Sequence, residues 1–268
     1  LDLPPPPACA CPTVLPKISA ESKPKAKKLR LDHLLVELGL ADSGNQAQRL
    51  IMAGLVYVAG QKADKPGTQY YEDAEIEVRE TLKYVSRGGL KLEKGLAHFS
   101  LSAEGIVALD VGASTGGFTD VLLQNGAAKV YAVDVGHGQL HYKLQHDPRV
   151  VNLEKRHVRL LTSELIPEPV DAIVIDTSFI SLAQVLPHAW PFLKAGGWCV
   201  ALIKPQFEVG PKLLVKGVVK DEAARQMAIE KILAFLPELP GAELLGVTES
   251  PIHGPKGNAE YLLGLRHA

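Results

Sequence analysis

The pattern of apolar and polar positions changes character near residue 30. Residues 1–28 have no hydrophobic period: a Pro-rich run gives way to Lys23, Lys25, Lys27 and Lys28, which predicts a disordered tail. From Arg30 the stretch RLDHLLVELGLADSGNQAQRLIMAGLVYVAGQ predicts a helix capped by Asp32 and running to Leu38, then a second helix over 45–53 that stops at Gly54. Two alternating runs, 55–59 and 74–78, predict short strands joined by a turn-rich stretch with Lys62, Lys65 and Pro66. Two helices on a small hairpin make a unit of about 50 residues, near the lower limit for independent folding. Beyond a linker over 81–86, Ser86 is placed to cap a helix whose apolar side is marked by Leu92, Leu96 and Phe99, with Lys91 off that side. Apolar runs then recur at 106–109, 129–134, 170–175 and 198–203, separated by helical periods from Phe118 and over 182–193. A mixed-charge helix over 221–235 precedes closing strands at 244–247 and 261–265. Such alternation predicts an α/β domain with a mostly parallel sheet covered on both faces.

The candidate chemistry gathers around residues 106–123, IVALDVGASTGGFTDVLL, which read as a strand, a tight turn and a helix. In an open α/β sheet the ligand sits beyond the carboxyl end of such a strand. Gly112, Gly116 and Gly117 let the backbone come close to a ligand, with Ser114 between them. The spacing differs from the G-x-G-x-x-G of a dinucleotide fingerprint, and Asp110 stands ahead of Gly112. An acid there suits a cationic ligand better than a phosphate. S-adenosylmethionine, with an ammonium and a sulfonium, is the first candidate, beside another nucleotide or a plain turn. Asp134 ends the next strand roughly 20 residues on, the place from which an acid hydrogen-bonds ribose hydroxyls. Asp110, Gly112, Ser114, Gly116, Gly117 and Asp134 are therefore the candidate cofactor residues. Asp176 and Lys204 fall at the carboxyl ends of two further strands, on the same edge of the sheet. A lysine ending a buried apolar strand is costly unless paired, and Asp176 is the nearest partner.

Lysine plus arginine total 29 against 30 for aspartate plus glutamate, so any nucleic-acid surface must come from segregated charge and not from an excess. Three cysteines, Cys9, Cys11 and Cys199, make no disulfide framework, and Cys9-x-Cys11 lacks zinc-knuckle spacing, which implies a reducing compartment. Every apolar run is broken well short of the roughly 18 residues a membrane-spanning helix needs. A soluble, cytoplasmic protein is expected, or an organellar one if the tail is a targeting remnant. His137, His141 and His146 have passing metal spacing, but no H-E-x-x-H carboxylate accompanies them and the segment reads as a surface helix, so no metal is expected.

Two resemblances sharpen this reading. RLDHLLVELGLA, AQRLIMAGLVYVAGQ and KPG resemble the α-L RNA-binding module of a ribosomal small-subunit protein, tyrosyl-tRNA synthetases and pseudouridine synthases. The likeness makes Arg30, Arg49, Lys62 and Lys65 candidate RNA contacts. Ser43-Gly44 departs from the module's usual Ser-Arg, which removes one phosphate contact. Behind the module, SRGGLKL, ALDVGASTGGFTDVLL, IDTSFISL, LIKPQFE and GNAEYLL resemble, in this order, the TlyA family of FtsJ-like methyltransferases, also known as haemolysins. The resemblance implies a Rossmann-like class I methyltransferase with a mostly parallel seven-stranded sheet, and the division 1–28 tail, 29–80 RNA-binding module, 81–86 linker and 87–268 methyltransferase. It implies methylation of ribose 2′-hydroxyls in ribosomal RNA or ribosomal subunits with S-adenosylmethionine as donor. The family's Lys-Asp-Lys-Glu tetrad carries over to Lys91, Asp176, Lys204 and Glu260. A ribose hydroxyl is a poor nucleophile until deprotonated, so such a site needs a base. Lys204 either takes the proton or holds the hydroxyl in line with the methyl group. The rival readings are a ribosome-binding or membrane-active relic of the fold and a pseudouridine synthase. Four filled tetrad positions argue against the first. Against the second, Leu29 stands where the synthase motif needs Gly.

Overall fold

The computed structural model describes residues 27–78 and 83–268. The tail reading, Cys9, Cys11 and part of the expected linker lie outside the described residues. The chain divides into two compact units, Leu1–Thr81 and Leu82–Ala268.

The first unit comprises β1 (Lys28–Arg30), α1 (Leu31–Glu37), α2 (Gly44–Met52), β2 (Val56–Val58), β3 (Gln61–Lys62), β4 (Gln69–Tyr71) and β5 (Ile76–Val78). Strand β1 pairs with β4, and β2 is flanked by β3 and β5. Leu31, Leu35, Ala47, Ile51 and Val56 close its core. Ser43 caps α2 through its hydroxyl, which accepts from the Gln46 amide at 3.3 Å. Asp32, read as the cap of α1, lies instead inside the first turn, with Arg30 at the cap position. Its buried carboxylate accepts from Arg30 Nε at 3.0 Å and Nη2 at 2.7 Å, and from Gln48 Nε2 at 3.0 Å. The Arg30 bonds hold the Asp32 carboxyl far below the usual carboxylate range.

The second unit runs α3 (Gly89–His98), β6 (Val107–Val111), α4 (Gly117–Gln124), β7 (Lys129–Val133), α5 (Tyr142–Gln145), β8 (Val150–Leu153), β9 (Val170–Ile175), α6 (Leu182–Ala189), β10 (Leu193–Ile203), α7 (Pro205–Glu208), α8 (Glu222–Phe235), β11 (Ala242–Glu249) and β12 (Tyr261–His267). Seven strands form one sheet in the order β11-β12-β10-β9-β6-β7-β8, with β12 antiparallel to both its neighbours and the ladders from β10 to β8 all parallel. Alternate residues of the buried strands divide between two cores, as the period of two requires. Leu109, Val111, Ile173, Ile175, Ala201 and Ile203 pack in the cluster that takes up Leu182, Val185 and Leu186 of α6 and Ile232 of α8. Ala108, Val130, Ala132, Val174, Val200 and Leu202 pack in the other, with Leu92 and Leu96 of α3 and Val121 and Leu122 of α4.

Three local expectations change. Ser86 does not cap α3: the helix begins at Gly89 with Gly88 at the cap position and no side-chain bond, while the Ser86 carbonyl accepts the Gly89 amide at 3.1 Å. The helix expected over 182–193 stops at Ala189, passes through a 3-10 turn at Trp190–Phe192, and yields Leu193 to β10. Pro187 and Pro191 each lack the amide that would continue the helical ladder. The surface helix expected near the histidines shrinks to the four residues of α5, and β8 follows it unannounced. This edge strand is short and only partly buried, so it carries no strong period.

Candidate active site

The parallel strands deliver Val111, Val133, Ile175 and Ile203 to one edge of the sheet. Chain direction decides what meets there. Because β12 runs the other way, its first residue Tyr261 pairs with Ile203, the last of β10, so Glu260 arrives beside Lys204. Helix α3 crosses over β10 and β12 at Gly95, where an added Cβ would stand 3.0 Å from Val200. One turn nearer its start, this helix carries Lys91.

The four candidate catalytic residues form one network. Lys91 Nζ donates to Glu260 Oε2 at 2.6 Å and reaches Asp176 Oδ2 at 3.4 Å. Lys204 Nζ lies 2.5 Å from Asp176 Oδ1 and donates to Ser178 Oγ at 3.0 Å. Lys91, Lys204 and Glu260 are 6%, 6% and 1% exposed, so each charge needs its partner, as the sequence required of Lys204. Burial acts to lower the Lys91 pKa, but the facing charges of Asp176 and Glu260 outweigh it and the net shift is upward. Lys91 therefore stays an ammonium. Glu260 Oε1 is buried without a hydrogen-bond partner among the described residues.

Asp176 also lines a cavity of about 640 Å³ at the point where the strand order reverses, between β6 and β9. Gly112, Ser114 and Asp134 line it too, together with Val133, Gln139, Arg156 and His157. Gly112 has φ +87°, and a Cβ on it would lie 2.7 Å from the Asp176 carbonyl oxygen, so only glycine permits the two strand ends to approach. The Asp134 carboxylate accepts from the Ser114 amide at 2.8 Å and the Gly136 amide at 2.7 Å, which fixes it at the rim.

The other three candidate cofactor residues sit elsewhere. Gly116 has φ +93° and packs under Leu140 and Leu144. A Cβ on Gly117 would stand 2.4 Å from Ser86 Oγ and 2.9 Å from the Gly89 amide nitrogen, so this glycine lets the starts of α3 and α4 touch. Asp110 is fully buried behind the cavity wall, where its Oδ2 accepts from Thr119 Oγ1 at 2.6 Å and its Oδ1 has no partner among the described residues.

In the first unit, Arg49, Lys62 and Lys65 are exposed and pair with no carboxylate among the described residues. Arg30 is committed to Asp32. No cluster of His, Cys, Asp and Glu fit for a metal occurs among the described residues, and His137 Nδ1 instead meets Glu154 Oε2 at 2.9 Å. No described helix is long and apolar enough to cross a membrane.

Residues 84–267 match the FtsJ-like methyltransferase family and residues 29–76 match the S4 domain. Over 244 residues the chain is 46% identical to the 16S/23S rRNA (cytidine-2′-O)-methyltransferase TlyA of Mycobacterium tuberculosis, spanning 90% of this chain and 91% of that one. The chain belongs to the TlyA family of FtsJ-like methyltransferases. Hemolysin A of Brachyspira hyodysenteriae is 40% identical over 236 residues, 87% of this chain and 98% of its own. A solved structure of a candidate hemolysin from Streptococcus thermophilus is 44% identical, with a TM-score of 0.69 over 90% of this chain and 89% of that one.

Membership in the TlyA family accounts for both units, an S4 RNA-binding domain and a methyltransferase. Ser178, Phe179, Gln139, Arg156 and His157 also line the cavity, and the sequence reading did not single them out. Ser178 and Phe179 follow Asp176 inside the DTSF motif, so the motif held their signal. Arg156 and His157 follow β8, whose weak pattern hid them.

Asp110 gives this unit a pH dependence. Burial above all, opposed by the Thr119 bond and aided by the charges of Asp176 and Asp134, pushes its carboxyl up to about 7. A carboxyl raised above its unfolded value near 3.9 contributes stability that is complete below that value and lost as pH rises through about 7. Between pH 4 and 8 the parent's melting temperature should therefore fall relative to that of Asp110→Asn, which cannot ionise. Parallel melting profiles for the two proteins would show that Asp110 is already charged in the fold.

Proposed function

We propose that this chain methylates a ribose 2′-hydroxyl of ribosomal RNA, with S-adenosylmethionine as the donor. The observation that carries the reading is the single network of Lys91, Asp176, Lys204 and Glu260 at the edge of a cavity that Asp176 also lines. The cavity suits the donor: Gly112 brings backbone close, and Asp134 stands at the end of β7 where a carboxylate receives ribose hydroxyls. Gly112, Ser114 and Asp134 would hold the donor, which supplies an electrophilic methyl group when bound. Asp110, Gly116 and Gly117 shape the loop from behind.

In this reading Lys204 takes the proton from the 2′-hydroxyl. Having first given up its own proton to solvent, its nitrogen, with one carboxylate and one hydroxyl around it, has a direction open toward substrate. Lys91, gripped by two carboxylates, remains charged and steadies Asp176 and Glu260 against each other. Asp176 orients Lys204. Methyl transfer to an amine would need no such base. Residues 29–80 dock the RNA through Arg49, Lys62 and Lys65, with Arg30 bracing the fold, while residues 87–268 perform the chemistry. Phosphate contacts of this kind position a substrate without reacting with it.

Three measurements test these roles. Lys204→Arg keeps the charge beside Asp176 but removes the base, since guanidinium does not deprotonate at usable pH. Its single-turnover rate on ribosomal subunits should fall about 10²- to 10⁴-fold with cofactor affinity within a few-fold. A rate within ten-fold of the parent, or a parent rate independent of pH between about 6 and 9, assigns Lys204 to positioning instead. Asp134→Ala should weaken S-adenosylmethionine binding in calorimetry by about 1.5 to 3 kcal/mol, the worth of a charged hydrogen-bond pair. Unchanged affinity removes Asp134 from the site. Replacing Arg49, Lys62 and Lys65 together with Ala should raise the KM for ribosomal subunits several-fold and leave cofactor affinity as it was. An unaltered KM takes RNA docking away from these residues.

A further inference from the structure

The catalytic unit carries a second basic surface, beside the tetrad. Residues 209–220 (VGPKLLVKGVVK) and 250–258 (SPIHGPKGN) hold Lys212, Lys216, Lys220, Lys256 and His253 and no acidic residue. This is local segregation in a chain with 29 cations and 30 anions. All four lysines are exposed, and none pairs with a carboxylate among the described residues.

The two segments are stitched together. Asn258 is 3% exposed, and its side chain accepts from the Val219 amide at 3.1 Å and donates to the Gly217 carbonyl at 3.0 Å. Lys256 lies over Gly217, its Nζ 3.4 Å from the place a Cβ would take. Val215 and Val218 close a tight bridge with Lys216 at its tip, held at φ +53°. Lys256 is also left-handed, at φ +62°. A loop pair that presents four like charges from a fixed frame opposes its own folding by repulsion, and an anion relieves that cost.

Position identifies the anion. The first segment begins five residues after Lys204, and the second ends two residues before Glu260. Within it, the Gly254 amide donates to the Asn258 carbonyl at 2.9 Å, and the Ser250 amide donates to the Glu260 carbonyl at 2.8 Å. Both loops are thus anchored on tetrad segments. We propose that Lys212, Lys216, Lys220 and Lys256, on two loops locked by Asn258, grip the phosphates of the RNA strand that flanks the target nucleotide. The inference rests on the ribose-methylation reading for its substrate. It adds a contact surface distinct from the cations of the S4 domain. Lysines suit this task because a backbone grip needs point charges and not base readout.

The test replaces all four lysines with Gln in the full chain and compares parent, variant and the matching fourfold Lys→Arg protein. Binding to isolated ribosomal subunits is measured across a salt series, beside single-turnover methylation at saturating subunits. The Gln variant should bind at least ten-fold more weakly, with a log K against log salt slope shallower by about 3, near one per lost phosphate contact. Its rate at saturation and its S-adenosylmethionine affinity should stay within a few-fold of the parent, and the Arg protein should regain the parent's salt slope. Binding within two-fold of the parent with an unchanged slope overturns the proposal. So does RNA binding that survives in the Gln variant while binding to phosphatidylcholine vesicles containing phosphatidylserine is lost, which reassigns the patch to a membrane surface. If the parent itself transfers no methyl group to RNA, the reading of the reaction fails, and the salt series still decides whether these lysines hold RNA.

Discussion

The second unit depends on a constraint at the edge of its sheet: two lysines and two carboxylates gather there, three of the four residues almost wholly out of water. A buried ion without a partner costs several kcal/mol, and breaking one such pair commonly costs about 3 to 5. Each member comes from a different segment: Lys91 from α3, Asp176 and Lys204 from the ends of β9 and β10, and Glu260 from the start of β12. The network therefore closes only when the antiparallel strand has docked against β10 and the helix has settled over both. The candidate site is therefore complete only in the folded sheet.

Close backbone approach does the complementary work. Gly112 admits the carbonyl of Asp176, and Gly117 admits the start of α3, so the glycines of one loop serve two directions. One draws the cavity wall together. The other brings the helix that carries Lys91 near enough to reach Asp176 and Glu260. Asp110 lies behind them and holds Thr119 of α4, a buried carboxyl whose proton the burial favours near neutrality.

Charge is segregated despite the chain's near-zero balance. Exposed cations that pair with no carboxylate among the described residues appear in the S4 domain at Arg49, Lys62 and Lys65, and on the methyltransferase unit at Lys212, Lys216, Lys220 and Lys256, among others. Arg30, although exposed, spends its guanidinium on Asp32 and stabilises the first turn of α1. A net charge near zero conceals such an arrangement, since it averages over surfaces that face different partners.

Much of this was already legible from one dimension. Hydrophobic runs set the central strands β6, β7, β9 and β10, because strands buried on both faces are predominantly apolar. The acids and the lysine that end three of those runs marked the edge that carries the candidate site for the same reason: a polar residue closing an apolar strand needs a purpose or a partner. Order and spacing of the motifs, through their resemblance to a family, were enough to pick out the four residues that the fold joins in one network. Tertiary structure alone decided the rest. Whether a loop glycine meets ligand or protein depends on what packs against it, and Gly116 and Gly117 meet protein. Asp32 is a buried anchor and not a cap because Gln48 of α2 meets it beside Arg30, two residues before it. Glu260 comes to the end of β10, within reach of Lys91, because β12 runs antiparallel, and no local pattern of residues encodes the direction of a strand within its sheet.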